Sequence, residues 1–475
     1  MTTLSQATQH APTWSGAFPR SAHLLGIGGV GMQGLAFALH TRGCAVSGTD
    51  PCPRGKLAHL LELGINVFGE HRARDLSHAE VVIRSSAVPD DNPELLAAQA
   101  QGVPVVHRVE GLALLLRDRA GLLVAGTHGK TTTTAMAGFL AEAAGLDPWV
   151  FVGGDVAEWG GYCRRGGADS VCVAETDESD GTFLRVPGQY AVVTNIEEEH
   201  LAYWRDGDAL REGFRKFMER IAGGRLVVCA DDPGVRSLEP HWRGVALSYG
   251  AESEDADYRI ESLEHGAEGS AFLLRLPDGS RTPVRVGVPG RHNALNAAGA
   301  LALAHRAGMD PAAVAGALAR FRGVGRRFTR HALAGGVLLV DDYGHHVSEI
   351  EATVRTARQV ADARRGRLFA VVQPHRYSRV EHTIARYGEA LEGAERVWIT
   401  DVYAAGEEPI PGCRGGDVAA VCAASGRATR FVPDPAEAVG EALEGARAGD
   451  VVLCLGAGSI SDAARRAAAK AGVLA

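Results

Sequence analysis

The chain has 475 residues, of which 46% are apolar and 22% charged, and its formal net charge is −8. This composition is typical of a globular protein, and the length predicts about three domains. The acidic balance argues against a nucleic-acid-binding protein, because such surfaces normally carry a basic stripe.

Cysteine usage and hydropathy indicate the compartment. The 8 cysteines are scattered without a C-x-x-C pair, and several, such as Cys172, Cys229 and Cys454, lie inside apolar runs. They are typical of small buried side chains in a reducing compartment. No apolar run approaches the roughly 20 residues that span a bilayer, and the polar N-terminus lacks the basic start and apolar core of a signal peptide. We therefore expect a cytoplasmic protein without membrane insertion.

Residues 1–20 are predicted to form a flexible leader, after which strand-length apolar runs alternate with helix-like segments. This alternation predicts an α/β protein with parallel sheets flanked by helices. Residues 245–290 break the pattern with short alternating runs, which predict a small antiparallel section. Boundaries near 116 and 327 divide the remainder into domains 21–116, 117–326 and 327–475. The predicted strands are 23–27, 45–48, 81–83, 122–125, 171–174, 191–194, 226–229, 337–340, 368–372, 396–400 and 450–455.

The first predicted strand ends in a glycine-rich loop, 26–31, that opens a helix predicted over 32–40. Asp50 ends the next strand, about where a ribose-binding acid lies in a dinucleotide site. Taken alone, this pattern predicts a nicotinamide-dependent dehydrogenase. The same loop can hold the diphosphate of a nucleotide-sugar at the helix N-terminus, so both interpretations stay open at this point.

A second loop, 126–130, follows the strand at 122–125 and precedes a helix predicted over 135–144. Its glycines let successive N–H groups turn toward phosphate oxygens, and Lys130 supplies a positive charge. Thr131 is placed to bind magnesium through its hydroxyl. Since the whole chain has only four lysines, the presence of one here strengthens the prediction of a nucleotide-phosphate site.

Acidic side chains follow the predicted strand at 171–174, with four carboxylates in the segment 175–180. Acids so close together repel one another unless a cation or hydrogen-bond donors lie among them. Because the carboxyl end of a parallel strand faces the ligand crevice, a magnesium ion with oxygen ligands fits there. The next predicted strand leads to His200, which beside Thr131 and Glu175 is predicted to bind the metal.

The last third of the chain carries three further polar groups. Asn293 and Asn296 lie three residues apart on one helix face, where their carboxamides can bind an adenine edge; helix capping by Asn293 explains the pattern equally well. Two later strands end in the polar clusters 341–346 and 373–379. These clusters predict a crevice at one edge of a sheet, and two arginines of the second can clamp a carboxylate or phosphate.

Together these motifs resemble the Mur ligase family from about residue 22 to the end of the chain. The order of so many blocks is far more specific than either glycine loop, and it excludes the dehydrogenase interpretation. The resemblance implies a Rossmann-like N-terminal domain, a central P-loop ATPase-like parallel sheet with a small antiparallel section, and a Rossmann-like C-terminal α/β domain. The blocks are GIGGVGMQG (26–34), SGTD (47–50), SSAV (85–88), AGTHGKTTTT (125–134), ETDESDGTFL (175–184), TNIEEEH (194–200), PGRHNALNA (289–297), GVGRRF (323–328), DDYGHH (341–346), QPHRYSR (373–379) and AGEEPIPG (405–412).

The resemblance implies an ATP-dependent ligase that joins L-alanine to the lactyl carboxylate of UDP-N-acetylmuramate, with Mg²⁺, in peptidoglycan synthesis. The C-terminal domain is expected to close over ATP and the amino acid, and the protein to be a monomer or weak homodimer. By the same resemblance the UDP-sugar is expected at Gly28, Gly29, Val30, Gly31, Asp50, His71, Ser85 and Ser86. ATP is expected at Gly126, Thr127, His128, Gly129, Lys130, Thr131, Thr132, Asn293, Asn296, Arg327 and Asp342. Magnesium is expected at Thr131, Glu175 and His200. Catalytic roles are expected for Lys130, His200, His346, His375, Arg376 and Arg379.

The sequence departs from the family pattern in several places. Glu199 stands where aspartate is expected, Thr176 where alanine is expected, and Val347-Ser348 where Pro-Thr is expected. Residues 131–215 contain no lysine, so the modified lysine that bridges the metals of related ligases is lacking. Two other functions stay open: a recycling ligase that adds a whole peptide to the same sugar, and a non-catalytic nucleotide-regulated binding protein.

Overall fold

The computed structural model describes residues 17–51, 57–117, 119–167, 170–221 and 223–472, so residues 1–16 of the predicted leader lie outside the described residues. The chain divides into two compact units. The first runs to Arg259 and includes Gly299–Val314, and the second comprises Ile260–Ala298 and Ala315–Ala475. The described cysteines are free and buried, as expected for small core side chains.

A five-stranded parallel sheet begins the first unit, in the order β3-β2-β1-β4-β5. Both faces of its central strands are covered, and Leu24 and Ile83 are fully buried. The direction of chain progression reverses between β1 and β4, which is where sheets of this Rossmann-like type bind ligands at their carboxyl ends. The strands are β1 (Ser21–Leu25), β2 (Ala45–Thr49), β3 (Asn66–Phe68), β4 (Val81–Arg84) and β5 (Val105–His107); the helices are α1 (Val30–Thr41), α2 (Ala58–Glu62), α3 (Pro93–Ala100) and α4 (Arg108–Leu116).

A second sheet in this unit contains β6 (Gly121–Ala125), β7 (Trp149–Val156), β8 (Gly161–Arg164), β9 (Cys172–Glu175), β10 (Tyr190–Val193), β11 (Leu226–Cys229) and β12 (Leu247–Gly250). Its order is β12-β11-β10-β6-β9-β7-β8, and every pairing is parallel except that of β7 with β8. The central strands β6 and β10 are buried apolar runs, as their sequences predict. The helices are α5 (Lys130–Ala143), α6 (Leu201–Trp204), α7 (Gly207–Arg220), α8 (Pro233–Ser237) and α9 (Glu239–Trp242).

The division between the units passes through β13 (Tyr258–Gly266) and α10 (Arg291–Arg306), and α11 (Pro311–Val314) returns to the first unit. In the second unit β14 (Gly269–Arg275) and β15 (Arg281–Val286) form an antiparallel hairpin, which confirms the antiparallel section predicted for residues 245–290. Pro277-Asp278-Gly279 lies at its turn, and the buried residues alternate along both strands.

The rest of the second unit is a six-stranded sheet in the order β16-β17-β21-β18-β19-β20, parallel except at β16. The parallel run with helices on both faces confirms the Rossmann-like expectation for the C-terminal part of the chain. The strands are β16 (Thr329–Ala332), β17 (Leu338–Asp342), β18 (Leu368–Val372), β19 (Arg396–Ile399), β20 (Ala428–Phe431) and β21 (Val451–Leu455). The helices are α12 (Val347–Ala363), α13 (Tyr377–Thr383), α14 (Tyr387–Ala390), α15 (Gly415–Ala424), α16 (Pro435–Glu444) and α17 (Ile460–Ala471).

Two predicted boundaries differ at the glycine loops. The strand predicted over 23–27 ends at Leu25, because Gly26 turns the chain with φ of 77°. The helix predicted to start at residue 135 starts at Lys130, because Gly129 with the same φ of 77° sets its N-terminus and the threonine run is helical. Threonine has low intrinsic helix propensity, and here burial of the run overrides that propensity.

Candidate functional site

The first glycine loop is held by the acid at the end of β2. The Gly28 amide donates to Asp50 Oδ2 over 2.8 Å, and Gln33 Nε2 donates to the Gly28 carbonyl over 2.7 Å. Asp50 therefore supports the loop itself. The loop leads directly into α1, where the Met32 and Gln33 amides donate to the Gly29 carbonyl and the Val30 and Gly31 amides ahead of them face the loop.

His71 belongs to a buried ionic cluster that the sequence did not predict. Glu94, fully buried at the start of α3, accepts from Thr49 Oγ1 (2.8 Å) and lies 2.6 Å from His71 Nδ1. Arg74 also contacts Glu94. Burial raises the pKa of Glu94, but hydrogen bonds from His23, His71 and Thr49 outweigh it and hold the pKa below its usual range. The cluster fixes His71 at the carboxyl edge of the first sheet.

Ser86 connects the first sheet to the acidic segment that follows β9. Its hydroxyl donates to Asp180 Oδ2 over 2.6 Å and lies 2.8 Å from His107 Nε2. His107 caps α4, because its Nδ1 accepts from the Val109 amide over 3.3 Å. Nδ1 therefore has no proton and Nε2 carries one, which gives a chain of donors from the imidazole through Ser86 to Asp180.

Acidification should lower the free energy of unfolding through His107. Burial, reinforced by Arg108 and two other arginines and opposed by Asp180, lowers the pKa of His107 to about 4. Unfolded histidine binds its proton near pH 6.5, so between pH 6.5 and 4 the unfolded chain binds more protons than the folded chain, and stability falls as pH falls. From pH 7 to 5 we expect a loss on the order of 1–2 kcal/mol from this group.

Urea unfolding at both pH values tests this expectation. His107→Asn keeps a helix-capping acceptor but cannot be protonated, so its stability should depend less on pH than that of the unmodified chain. The exposed His78 provides the matched control, since His78→Asn should leave the pH dependence unchanged. Equal slopes for the unmodified chain and His107→Asn would contradict the assignment.

The second glycine loop is braced by the residues after β10. Thr194 Oγ1 donates to the His128 carbonyl over 2.6 Å, and the His128 amide donates to Asn195 Oδ1 over 2.7 Å. Gly126 has φ of 139°, and a Cβ at this position would overlap Thr194 Oγ1. Only glycine fits here, so the loop is a rigid nest of amides at the N-terminus of α5.

Lys130 closes this nest and pairs with an acid. Its Nζ donates to the carbonyls of Gly126 (2.6 Å) and Thr127 (3.0 Å) and to Glu178 Oε2 (2.6 Å). Burial raises the pKa of Glu178 to about 7 although Lys130 opposes it. The neighbouring Asp177 has the opposite shift: burial works against ionisation, but Lys130 and Arg108 outweigh it and lower the pKa to about 2.

Glu175 and Glu178 have different partners in the structure, whereas the sequence singled out Glu175 alone as a metal ligand. Glu175 Oε2 accepts from the Gly153 amide over 2.7 Å, whereas Glu178 contacts Lys130 and lies with Oε1 3.7 Å from His200 Nε2. Glu178 Oε1 is buried and has no hydrogen-bond partner among the described residues. An orphaned carboxylate oxygen beside an imidazole fits a bound cation, so Glu178 is a candidate metal ligand that the sequence did not single out.

Two departures from the family pattern have a local explanation. The Thr176 hydroxyl donates to the Val124 carbonyl over 3.0 Å in the buried sheet, so threonine is satisfied where alanine was expected. Glu199 is buried, and its Oε2 lies 3.5 Å from His200 Nε2. The longer acid thus lies beside the histidine predicted to bind metal.

The two predicted adenine-binding asparagines are buried near the start of α10. Asn293 Nδ2 donates to the Pro289 carbonyl over 2.7 Å, and Asn293 Oδ1 accepts from Asn296 Nδ2 over 3.4 Å. The backbone bonds of the first turn are accepted by Gly290, so Asn293 lies inside the helix. The capping alternative is therefore wrong.

Asp342 organises the loop around the start of the last sheet. Its Oδ2 accepts from the Phe328 amide and its Oδ1 from the Gly344 amide, both over 2.7 Å. Burial raises the pKa of Asp342, and Arg327 opposes this shift. Arg327 lies over the ring of Tyr343, 4.9 Å from the ring centroid, so these two predicted nucleotide contacts lie in one loop cluster.

Aromatic rings line the carboxyl edge of this sheet. Tyr343, His345, His375 and Tyr403 follow one another with ring centroids 5.1, 5.2 and 5.5 Å apart, and the last pair is stacked. Tyr403 was not predicted, although it lies two residues before the AGEEPIPG block. The series gives a small molecule at this edge a flat apolar surface.

The basic residues of the same edge are held by specific partners. Arg379 Nη1 lies 3.1 Å from His375 Nδ1, and since arginine only donates, Nδ1 has no proton. Arg376 Nη1 lies 3.6 Å from Glu407 Oε1. His346 caps α12, and its Nδ1 lies 2.7 Å from Ser348 Oγ, so the serine that replaces the expected threonine supplies a hydroxyl at this position.

None of the helices in the described parts of the chain is long and apolar enough to cross a bilayer. The α/β sheets, the two glycine loops and the lysine-bearing nest together define a nucleotide-using ligase fold. The chain belongs to the Mur ligase family. The models described as Mur ligase family, catalytic domain, as Mur ligase middle domain and as Mur ligase, glutamate ligase domain match residues 21–120, 124–304 and 326–458.

Individual relatives show which members of the Mur ligase family this chain is similar to. The chain is 46% identical to the UDP-N-acetylmuramate–L-alanine ligase of Kineococcus radiotolerans over 92% of this chain and 93% of the relative. It is 43% identical to the enzyme of the same name from Anaeromyxobacter dehalogenans over 93% of this chain and 95% of the relative. The crystal structure of UDP-N-acetylmuramate-alanine ligase from Thermotoga maritima superposes with a TM-score of 0.81 at 28% identity, covering 95% of this chain and 98% of that chain.

Proposed function

We propose that this chain is an ATP-dependent ligase of peptidoglycan biosynthesis that forms an amide between the lactyl carboxylate of UDP-N-acetylmuramate and L-alanine. The observation that carries the proposal is the identity of 43% to a ligase with these substrates over 93% of the chain. The Lys130 nest supports it, because such a nest binds nucleotide phosphates. We further propose a cytoplasmic location and a monomer or weak homodimer.

We assign the ligands to the three domains predicted from the sequence. Residues 21–116 bind the UDP-sugar at the carboxyl edge of the first sheet, where the glycine loop and His71 lie. Residues 117–326 bind ATP, with the nest 126–130 on its phosphates. Residues 327–475 bind the amino acid and also contact ATP through Arg327 and Asp342. Arg376 and Arg379 orient the carboxylate of the amino acid.

The chemistry requires activation of a carboxylate, because its own negative charge repels an attacking amine. The lactyl carboxylate oxygen attacks the terminal phosphorus of ATP, the bond to the bridging oxygen breaks, and ADP leaves with the electron pair. The alanine amine then attacks the acyl carbon, loses a proton and expels phosphate. Lys130 neutralises charge on the phosphates during the first step.

Magnesium fits the residues that follow β6, β9 and β10. Thr131, His200 and the carboxylates of Glu175 and Glu178 would hold it, and the orphaned Glu178 Oε1 supports this assignment. When bound, the ion supplies further positive charge to the phosphates. Glu178 also holds Lys130 in the nest, which keeps the ammonium group beside the loop amides.

Phosphate release tests the function directly. Purified protein with ATP, magnesium and UDP-N-acetylmuramate should release phosphate on addition of L-alanine. Oxygen-18 in the muramate carboxylate should appear in the released phosphate, because one carboxylate oxygen becomes the bridging oxygen of the acyl phosphate. Unlabelled phosphate would refute the acyl-phosphate step.

The same assay separates the alternatives. A muropeptide-recycling ligase would respond to a tripeptide better than to L-alanine. A non-catalytic nucleotide-regulated protein would bind ATP without sugar-dependent phosphate release. Either result would replace the proposed function.

A further inference from the structure

Tyr403 lies in the loop after β19, at the carboxyl edge of the last sheet. Its amide donates to the Pro374 carbonyl over 2.8 Å, and its carbonyl accepts from the Arg376 amide over 2.9 Å. His375 and Tyr403 are therefore partners in a parallel bridge between the loops that follow β18 and β19. This bridge fixes the backbone of Tyr403 beside Arg376, one of the two arginines proposed to orient the amino-acid carboxylate.

The ring of Tyr403 is held by two neighbours. It stacks on the ring of His375, with the centroids 5.5 Å apart and an angle of 10° between the planes. It also packs against the backbone of Gly458, because a Cβ at position 458 would lie 2.5 Å from Tyr403 Cγ. Since the φ of Gly458 is not in the left-handed region, this position requires glycine for its small size. The ring therefore cannot shift toward either neighbour without displacing it.

Both neighbours are fixed by hydrogen bonds of the surrounding loops. The buried Gln373 joins the loops after β18 and β21, since its Oε1 accepts from the Ile460 amide and its Nε2 donates to Ser459 Oγ, both over 3.0 Å. Arg379 Nη1 lies 3.1 Å from His375 Nδ1 and holds the imidazole in place. A movement of the Tyr403 ring would have to displace these groups too, so the ring is a rigid part of this edge.

Tyr403 stays partly open to solvent despite these contacts. The residue is 42% exposed, and it lies at the edge where sheets of this type bind ligands. The neighbouring Arg376 has 49% of its side chain exposed, and its Nη1 lies 3.6 Å from Glu407 Oε1. An exposed ring beside an exposed guanidinium matches a small molecule that carries a carboxylate and a short apolar group. An α-amino acid with a small side chain has both.

We propose that Tyr403 determines the amino-acid specificity of the ligase, because the amino-acid side chain packs against its ring and the ring cannot move to admit a larger one. This assignment rests on the proposed function, in which Arg376 and Arg379 hold the carboxylate of the amino acid at the same edge. A pocket with a rigid side rejects an extra methylene, since the added volume forces neighbouring side chains out of their preferred positions. The reaction is thereby restricted to amino acids whose side chain is no larger than a methyl group.

The test is phosphate release by the full chain with ATP, magnesium and UDP-N-acetylmuramate, measured with glycine, L-alanine and L-2-aminobutyrate. For the unmodified chain, kcat/KM should be about tenfold or more higher with L-alanine than with L-2-aminobutyrate, which has one more methylene. Tyr403→Ala should lower this ratio about tenfold, because it removes the ring that excludes the methylene. Tyr403→Phe should keep the ratio, because the stacked ring remains. Phe431, an exposed ring on β20 of the same sheet, supplies the matched control Phe431→Ala, which should leave the ratio unchanged.

The ratio of kcat/KM for L-alanine to that for L-2-aminobutyrate distinguishes a specificity role from a structural one. The same ratio in Tyr403→Ala as in the unmodified chain would overturn the assignment. A merely structural role would lower kcat/KM for all three amino acids by the same factor, and this result would overturn it too. If Tyr403→Ala does not fold, the ratio in Tyr403→Leu decides, since leucine is apolar and lacks the flat ring. If the unmodified chain forms an amide with none of the three, the proposed function itself fails, and this assignment fails with it.

Discussion

Replacing Lys130 with alanine should reduce ATP- and sugar-dependent phosphate release by about 10³-fold or more while the chain still folds. The ammonium group lies in the nest, within 2.6 Å of the Gly126 carbonyl and of Glu178 Oε2. No other lysine lies between residues 57 and 215, so the substitution removes the only lysine charge from this part of the sequence. The measurement is the steady-state rate at saturating ATP, UDP-N-acetylmuramate and L-alanine.

The fold should survive because Glu178 can take up a proton. Its pKa is already raised to about 7 by burial, and loss of Lys130 raises it further. When an acid has a higher pKa in the folded chain than in the unfolded chain, the protein loses stability as pH rises above the unfolded pKa, near 4.5 for glutamate. The reason is that the unfolded chain releases the proton first, so rising pH favours unfolding. Lys130→Ala should therefore unfold more easily at pH 8 than at pH 6, and by a larger margin than the unmodified chain.

A matched control is available in the same unit. Lys216 lies on the surface of α7 with 57% of its side chain exposed, and Lys216→Ala should keep full activity and an unchanged pH dependence of stability. Substantial ligation by Lys130→Ala would contradict the assignment of the nest. Loss of activity in both Lys130→Ala and Lys216→Ala would indicate that removal of any lysine charge from this unit impairs activity, and the result would not support a specific role for Lys130.

The fold could be predicted from the sequence wherever strands are central. The central strands β6, β10, β18 and β21 are buried along nearly their whole length, so their apolar runs are unbroken. Short edge strands such as Asn66–Phe68 and Ala428–Phe431 were not predicted, because they carry polar residues and have too few positions to show a period. Hydropathy therefore located most sheet centres and not their edges, and it missed β7, which lies between β9 and β8 and whose first four residues are buried.

The candidate site could be predicted only to the level of segments. The sequence indicated that acids after β9 approach the Lys130 loop, but it did not distinguish Glu175 from Glu178. The structure assigns Glu175 to the Gly153 amide and Glu178 to Lys130, because the chain turns after Thr176. That choice depends on loop geometry, which no periodicity records.

Residues that act through tertiary contacts could not be predicted from the sequence either. Glu94 stands in an ordinary helix start, where an acid is unremarkable, and Tyr403 stands in a loop after β19. Their significance appears only when His71 and His375 are brought beside them by the sheet order. The carboxyl edge of a parallel sheet collects such residues from distant segments, which is why the sequence identified the edge and missed these members.

Replacing Arg379 with alanine should lower kcat/KM for L-alanine by about 100-fold or more, since the side chain has two tasks. As a clamp it binds a carboxylate. As a neighbour it donates to His375 Nδ1 over 3.1 Å and so keeps the ring proton on Nε2. In this arrangement His375 can donate a hydrogen bond from Nε2 and cannot remove the amine proton.

The two tasks can be separated by variant and by kinetic constant. Arg379→Lys should keep charge attraction for a carboxylate and lose the fork, so KM for L-alanine should rise less than in Arg379→Ala. His375→Asn removes the ring and leaves the clamp, so it should lower kcat more than it raises KM. Arg355, exposed on α12 and paired with Glu351, supplies the control Arg355→Ala, which should behave as the unmodified chain.

The outcome locates the amino-acid site. A rise in KM for L-alanine confined to the Arg379 variants places the alanine carboxylate at the edge lined by His375 and Tyr403, because a clamp that binds the ground state acts on KM. A rise confined to the KM for UDP-N-acetylmuramate would instead assign Arg379 to the lactyl carboxylate. If kcat and KM for both substrates are unchanged in Arg379→Ala, neither Arg379 nor the orientation that it gives His375 contributes to the reaction. This edge of the last sheet would then not be part of the active site.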